Sequence, residues 1–415
     1  MILLAHPTAN QNVRQAALAF AEAGLLEEFW TSVNWKQGGI LDRCLSFAPR
    51  LRNELRRRSF PAELGVHLRT HPARECGRQL AGQLGWRRLT REEGGLFSVE
   101  AVYRSLDRRV AQRLRSGLTI QAVYAYDGGA LATFRAAKER GLKCIYEHPI
   151  VHWRLVRSYQ REEAEQHPEW ASTLGALVDS EEKLARKDEE LALADVIVTP
   201  SSFARTSLAL APAVRAPIHV VSYGVAARRA LPTRTRENEK LRVLFVGALS
   251  QAKGLGYLLE AVARFGQEIE FTLIGRRISP LIPAPSVLDK YRWIPSLPHE
   301  ALLQEMSTHD VLVLPSLHEG FGLVLTEAMG QGLVVITTPQ TAGPDLISDA
   351  VDGFLVPIRS SEAIAEKLAL LLRDRDQLRS MQEAALRKAS VFTWESYRLR
   401  LAQLAREVVG LPVEP

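Results

Sequence analysis

Cysteine is scarce. The 415 residues include three, Cys44, Cys76 and Cys144, and no C-x-x-C pair. An odd, scattered set argues against a disulfide framework and for reduced thiols. Long apolar runs are also missing. No stretch reaches the roughly 18 apolar residues of a membrane-spanning helix. The opening MILLAHP breaks at His-Pro, too early for the apolar stretch of a signal peptide. The expectation is a cytosolic protein, with peripheral contact to the inner face of a membrane left open. Internal repeats, low-complexity tracts and metal-ligand clusters are absent, so no metal site and no tightly bound cofactor are expected. Apolar content of 46% and charged content of 24% are ordinary for a globular protein. A chain of this length has two domains as its natural prior.

Charge is present but unevenly placed. The whole chain carries +6, yet Arg43 to Arg91 holds twelve arginines against three glutamates, an excess of +9. Such a run attracts anionic lipid or an anionic acceptor, and equally well forms a solvated helix face. Aromatics are not interleaved with it as single-strand binding requires, so no nucleic-acid partner is expected.

The most informative stretch is PSLHEGFGLVLTEAMGQG, Pro315 to Gly332. Val311–Leu314 is a short apolar run of the kind buried in a parallel sheet, and Pro315 ends it. Gly320 and Gly322 bracket Phe321, where the backbone turns sharply or approaches a ligand. From Leu323, Val324, Leu325, Ala328 and Met329 recur at helical spacing, and Gly330 and Gly332 close the helix. Glu319 stands in the loop at the carboxyl end of the strand, where open α/β sheets bind ligands. Glu327 stands about a turn and a half into the helix. An ionised carboxylate only accepts hydrogen bonds, so both suit sugar or ribose hydroxyls. Taken singly, each also reads as a solvated glutamate.

The string as a whole resembles the signature of the retaining glycosyltransferases of family 4, in which two glutamates frame E-G-F-G-x4-E-A. The resemblance is dense in the C-terminal half and weak over the first 120 residues. It implies the GT-B fold: two Rossmann-like α/β domains facing across a cleft, with the last helix crossing back to the first. The expected division is an acceptor-side domain over 1–225, a linker over 226–240 rich in Arg, Pro and Thr, a donor-binding domain over 241–390, and a returning helix over 391–415.

In chain order, Met1–Ala5 reads as a first buried strand and Val13–Ala23 as its helix. Asn10, Asn12 and Arg14 occupy the first loop, where family members carry a Gly-Gly pair. Leu26–Val33 reads as a second strand. Ala122–Tyr126 is another, closed by Asp127-Gly128-Gly129, with a helix over Ala130–Arg140. Lys143–Tyr146 follows, with Glu147-His148-Pro149 at its carboxyl end. The resemblance implies that His148 reaches the donor sugar, and Glu147 is the alternative polar group there. His152, Trp153 and Arg154 are candidate lining of an acceptor cleft. Glu162–Glu190 is charged and helical. The stretch ALADVIVTPSSF is similar to the family's last β-α step of domain one.

The second half opens with a strand, Arg242–Val246, then Gly247 to Lys253, then a helix near Leu255. Glycine at the strand end and free N–H groups at a helix start suit a phosphate, and Lys253 adds a mobile cation. The pattern is similar to F-V-G-R-L-x3-K-G, in which Arg and Lys grip the donor diphosphate. Here Ala248 replaces the arginine, so Arg276 or Arg14 is expected to supply the missing charge. Glu270–Gly275, Tyr291–Ile294 and Leu333–Thr337 read as further strands. The implied donor set is Gly247, Lys253, Gly254, Arg276, Glu319, Gly320, Phe321, Gly322 and Glu327. Its catalytic members are His148, Lys253 and Glu319, and the acceptor or first-loop candidates are Asn10, Asn12, Arg14, Asp127 and Glu147. The implied activity is a retaining, metal-independent hexosyltransferase in glycan, lipid or polysaccharide synthesis of the bacterial type. It would use a UDP- or GDP-sugar and a glycan, lipid-linked or small-molecule acceptor. A GT-B nucleotide-sugar epimerase, or a non-catalytic nucleotide- or anion-binding protein, is the alternative.

Overall fold

Two parallel sheets carry the chain. The structure is a computed structural model that describes residues 1–412 apart from 37, 40, 41, 44–51, 53, 54, 226–239 and 280–284. The first sheet contains β1 (Ile2–Ala5), β2 (Leu26–Thr31), β3 (Leu68–Thr70), β4 (Ala122–Tyr126), β5 (Lys143–Glu147), β6 (Val196–Thr199) and β7 (Ile218–Val220), in the order β3-β2-β1-β4-β5-β6-β7. The second contains β8 (Leu241–Val246), β9 (Ile269–Ile274), β10 (Arg292–Ile294), β11 (Val311–Leu314), β12 (Val334–Thr337) and β13 (Gly353–Leu355), in the order β10-β9-β8-β11-β12-β13. Strand order reverses once in each sheet, between β1 and β4 and between β8 and β11. Doubly wound sheets open a crevice at such a switch point.

Among the described residues, the helices of eight residues or more are α1 (Gln11–Glu22), α2 (Ala73–Gln83), α3 (Val99–Arg115), α4 (Leu131–Glu139), α5 (Trp153–Gln166), α6 (Glu181–Leu193), α7 (Leu255–Ala263), α8 (His299–Met306), α9 (Leu323–Gly330), α10 (Ser361–Arg373), α11 (Arg375–Ala389) and α12 (Trp394–Val408). They cover both faces of each sheet, so strands such as Val311–Leu314 are apolar without alternation and fully buried. Among the described residues, no helix is long and apolar enough to cross a membrane.

α12 crosses back to the first domain, as expected. Val225 pairs with Thr393 in a parallel bridge. Tyr397 and Leu401 are buried, and Arg398 reaches Glu22 (2.8 Å) and Gln15 (2.7 Å) on α1.

One expectation needs revision. The charged stretch Glu162–Glu190 is two helices, α5 and α6, separated by short 3-10 turns. β3 and β13 have three residues each, too short to show a period. The linker, Lys240 apart, lies outside the described residues.

Candidate functional site

The loops after β8 and β11 meet at the second switch point. After Val246 the chain turns through Gly247, makes a short 3-10 turn at Gln251–Lys253 and enters α7 through Gly254. Gly254 has φ +69°, and a Cβ there would lie 2.0 Å from the Pro315 carbonyl oxygen, so only glycine fits. Leu317 N–H donates to the Ala252 carbonyl (3.0 Å), binding the two loops together. Lys253 Nζ is thereby brought onto Glu319 in an ion pair. Arg276 lies exposed at the end of β9, where its carbonyl accepts from Leu249 N–H (2.9 Å), beside the Gly247 turn.

Gly320 is one of the places where the two domains touch. A Cβ on it would stand 2.0 Å from the Pro149 carbonyl oxygen, and Ser201 Oγ donates to its carbonyl at 2.5 Å. Phe321 is buried with its ring edge against Tyr223 (5.2 Å between centroids). Gly322, with φ +83°, starts α9. Glu327 is 18% exposed, with His299 Nδ1 3.7 Å away. Among the described residues no group donates a hydrogen bond to its carboxylate, and burial raises its pKa.

On the facing domain, β5 delivers His148 to the same contact. Side chains alternate along a strand, so Tyr146 and His148 share one face and Ile145 and Glu147 the other. His148 is 2% exposed, stacks on Tyr146 (6.1 Å) and lies 3.5 Å from Asp127. Both its ring nitrogens are buried, and among the described residues neither makes a hydrogen bond of good geometry, Asp127 being the charged group that Nδ1 faces. Buried polar atoms are rarely left so. Asp127 accepts from Lys187 Nζ and Tyr146 OH, both at 2.9 Å. Burial opposes its ionisation, but Lys187 and His148 hold its carboxyl well below the usual range.

The first-loop candidates lie differently from the expectation. Glu147 is inside the protein rather than on the cleft: β5 runs one residue further than expected and turns it inward. Its carboxylate accepts from Tyr124 OH and Tyr223 OH, both at 2.5 Å, and burial raises its pKa. Asn12 points into the same cage and donates to Tyr223 OH (3.2 Å). Arg14 donates to the Arg57 carbonyl (2.6 Å), and its Nε is buried without a partner. Asn10 is exposed at the start of α1. His152, Trp153 and Arg154 turn away from the cleft onto Asp188, at 3.3, 2.8 and 2.8 Å.

Sequence reading missed His6. It ends β1 beside the first switch point, accepts from Thr8 N–H (3.1 Å), and has Tyr103 OH 3.5 Å from Nε2. Burial pushes its pKa down to about 4, so the ring is neutral. The signal was a repeated one: both β1 and β5 run into His-Pro.

Residues 228–388 match the family model described as Glycosyl transferases group 1. Among curated proteins, the D-inositol 3-phosphate glycosyltransferase of Corynebacterium urealyticum is 28% identical over 226 residues, 48% of this chain and 53% of that protein. The chain spans about half the length, or less, of the first curated relatives it matches. Sucrose-phosphate synthase from Thermosynechococcus elongatus superposes over 99% of both chains, with a TM-score of 0.68 at 18% identity. The fold is GT-B. Anabaena HepE, solved with UDP and glucose, has a TM-score of 0.61 at 15% identity, over 98% of this chain and 99% of that one. The solved structures share the fold of two Rossmann-like domains, and the group 1 match lies in the C-terminal half of the chain.

Proposed function

We propose that this protein is a retaining, metal-independent glycosyltransferase of family 4. It moves a sugar from a UDP- or GDP-sugar to a hydroxyl of a glycan, lipid-linked or small-molecule acceptor. The observation that carries this reading is the contact at Gly320, which sets Lys253 and Glu319 of one domain against His148 of the other. Lys253 holds the diphosphate, helped by Arg276 in place of the arginine that the family carries at Ala248. Glu327, a carboxylate without a donor, takes the ribose hydroxyls. Glu319 and His148 take hydroxyls of the sugar.

The bond from the anomeric carbon to the diphosphate oxygen breaks, and a bond to the acceptor oxygen forms on the same face. The acceptor's proton passes to the departing phosphate oxygen. No protein nucleophile is needed. Lys253 stabilises the negative charge as it develops on the diphosphate, which is where a fixed cation accelerates the reaction most. The donor class is supported by the group 1 match and by the UDP bound in HepE.

The test is a thermal-shift panel of UDP-, GDP- and ADP-sugars. A ligand that binds only the folded state raises the melting temperature by mass action. One nucleotide series should raise it in the wild type and fail to do so in Lys253→Ala. No shift with any nucleotide would end the proposal.

A further inference from the structure

α5 belongs to the first domain, yet its last turns are held by the second. Glu163 is fully buried. Among the described residues, every side-chain hydrogen bond its carboxylate accepts comes from across the domain boundary: Gln251 Nε2 (2.7 Å), Tyr257 OH (2.7 Å) and Arg359 Nε (2.8 Å). Gln251 is the first residue of the 3-10 turn that ends in Lys253. Both ends of its amide are engaged: Oε1 accepts from Gly256 N–H (3.1 Å) while Nε2 donates to Glu163. Its backbone N–H donates to Thr173 Oγ1 (3.1 Å), on the short turns just after α5.

One turn before Glu163, on the same face of the helix, Gln160 makes a second crossing. It is 4% exposed and lies 3.1 Å from His318 Nε2, next to Glu319 in the chain. Burial keeps the His318 ring neutral, so Nε2 can accept the amide proton. The opposite end of α5 is fastened to α6 of the first domain through Asp188, the shared partner of His152, Trp153 and Arg154. The helix thus ties the segment following His148 to both loops that carry Lys253 and Glu319.

We infer that Glu163, supported by Gln160, is a positioning residue: it clasps the Gln251–Lys253 turn from the opposite domain and holds the donor-binding loops in register with His148. The inference rests on the reading that Lys253 grips a diphosphate. A buried carboxylate with three donors is costly to disturb, because removing it leaves Arg359 and the Gln251 amide facing a gap. Arg359 keeps Glu162 as a partner at 2.9 Å, so the fold has a fallback that the turn lacks. The clasp is a two-domain device, and its loss frees the turn without touching the ligand directly.

Two measurements on the full chain test it. The first is amide hydrogen exchange across residues 250–258 in the ligand-free protein; the second is calorimetric affinity for UDP and GDP. Glu163→Ala should speed exchange in that segment at least tenfold, leave β1 and β4 protected, and weaken binding of the preferred nucleotide about tenfold, a usual size for coupling between sites. Glu163→Gln, which still accepts from Gln251 and Tyr257, should fall between the two. Arg359→Ala, which removes a partner whose side chain is 19% exposed, should shift exchange in the same direction and serves if Glu163→Ala does not fold. Unchanged exchange across 250–258 in Glu163→Ala, or in Arg359→Ala where that variant stands in, overturns the inference. Faster exchange in a protein whose wild type binds neither nucleotide would uphold the clasp and sink the nucleotide reading instead.

Discussion

Glu319→Gln should move two affinities in opposite directions. In the ligand-free protein Lys253 is paired with Glu319, and their side chains are 26% and 22% exposed. A pair of that exposure is worth about 0.2–1 kcal/mol. A diphosphate drawing Lys253 onto itself must first break that pair. Glutamine leaves Lys253 uncommitted, so affinity for the bare nucleoside diphosphate should rise roughly 1.4- to fivefold. With the sugar attached, the carboxylate would also accept charge-assisted hydrogen bonds from sugar hydroxyls, worth about 1.5–3 kcal/mol. The amide accepts them more weakly, so affinity for the nucleotide sugar should fall by about 1–2 kcal/mol, roughly 5- to 30-fold. Calorimetry with both ligands at two salt concentrations reads this directly, and the gain for the bare nucleotide should shrink as salt screens the pair. Equal weakening for both ligands would refute the reasoning, because Glu319 would then be neither a competitor for Lys253 nor a group that reads the sugar.

Glu327→Ala should weaken nucleoside diphosphate binding by about 1.5–3 kcal/mol. It should not lower the melting temperature, since burial already disfavours the ionised carboxylate and no hydrogen bond is lost. His6 and His152 are both pushed down to about 4 by burial. A base with a depressed folded pKa contributes stability above its unfolded value of about 6.5 and loses it as pH falls toward 4. Each should therefore cost about 2 kcal/mol by pH 5. Urea melts of wild type and His152→Gln at pH 5 and 7.5 check this, and a difference between the two pH values that His152→Gln leaves unchanged would count against it.

The second sheet and its glycine loops were legible because their physics is local. A buried parallel strand is an apolar run, a proline stops it, and glycines mark the close approaches that Gly254 and Gly320 make. Glu319 and Lys253 follow from position in that unit. Glu147 was misplaced because one further residue of strand reverses which side chain faces the cleft. That difference depends on β6 pairing as far as Val198, which the sequence of β5 does not show. Glu163 was illegible for another reason. It stands among the charges of α5 like any solvated glutamate, and only the domain across the boundary buries it.

The arginine run shows most clearly how composition misleads. The +9 excess was counted from Arg43, one residue after the acid that matters. Asp42 takes the forked guanidinium groups of Arg56 and Arg52, at 2.9 Å each, and they hold its carboxyl well below the usual range. Arg58 and Arg78 close on Glu75, both at 2.7 Å, and Arg74 donates to the Leu96 carbonyl (2.6 Å). Much of the run is therefore internal structure. By contrast, Arg87, Arg88 and Arg91 are exposed and form no ion pair among the described residues. The two sets should separate experimentally. Arg56→Gln should lower the urea midpoint, and Arg58→Gln should cost about 1 kcal/mol, because Glu75 keeps Arg78 and Gln79. Replacing Arg87, Arg88 and Arg91 together with glutamine should leave stability within about 0.5 kcal/mol. Equal stability losses in both sets would mean that the exposed arginines, too, are bound into the fold.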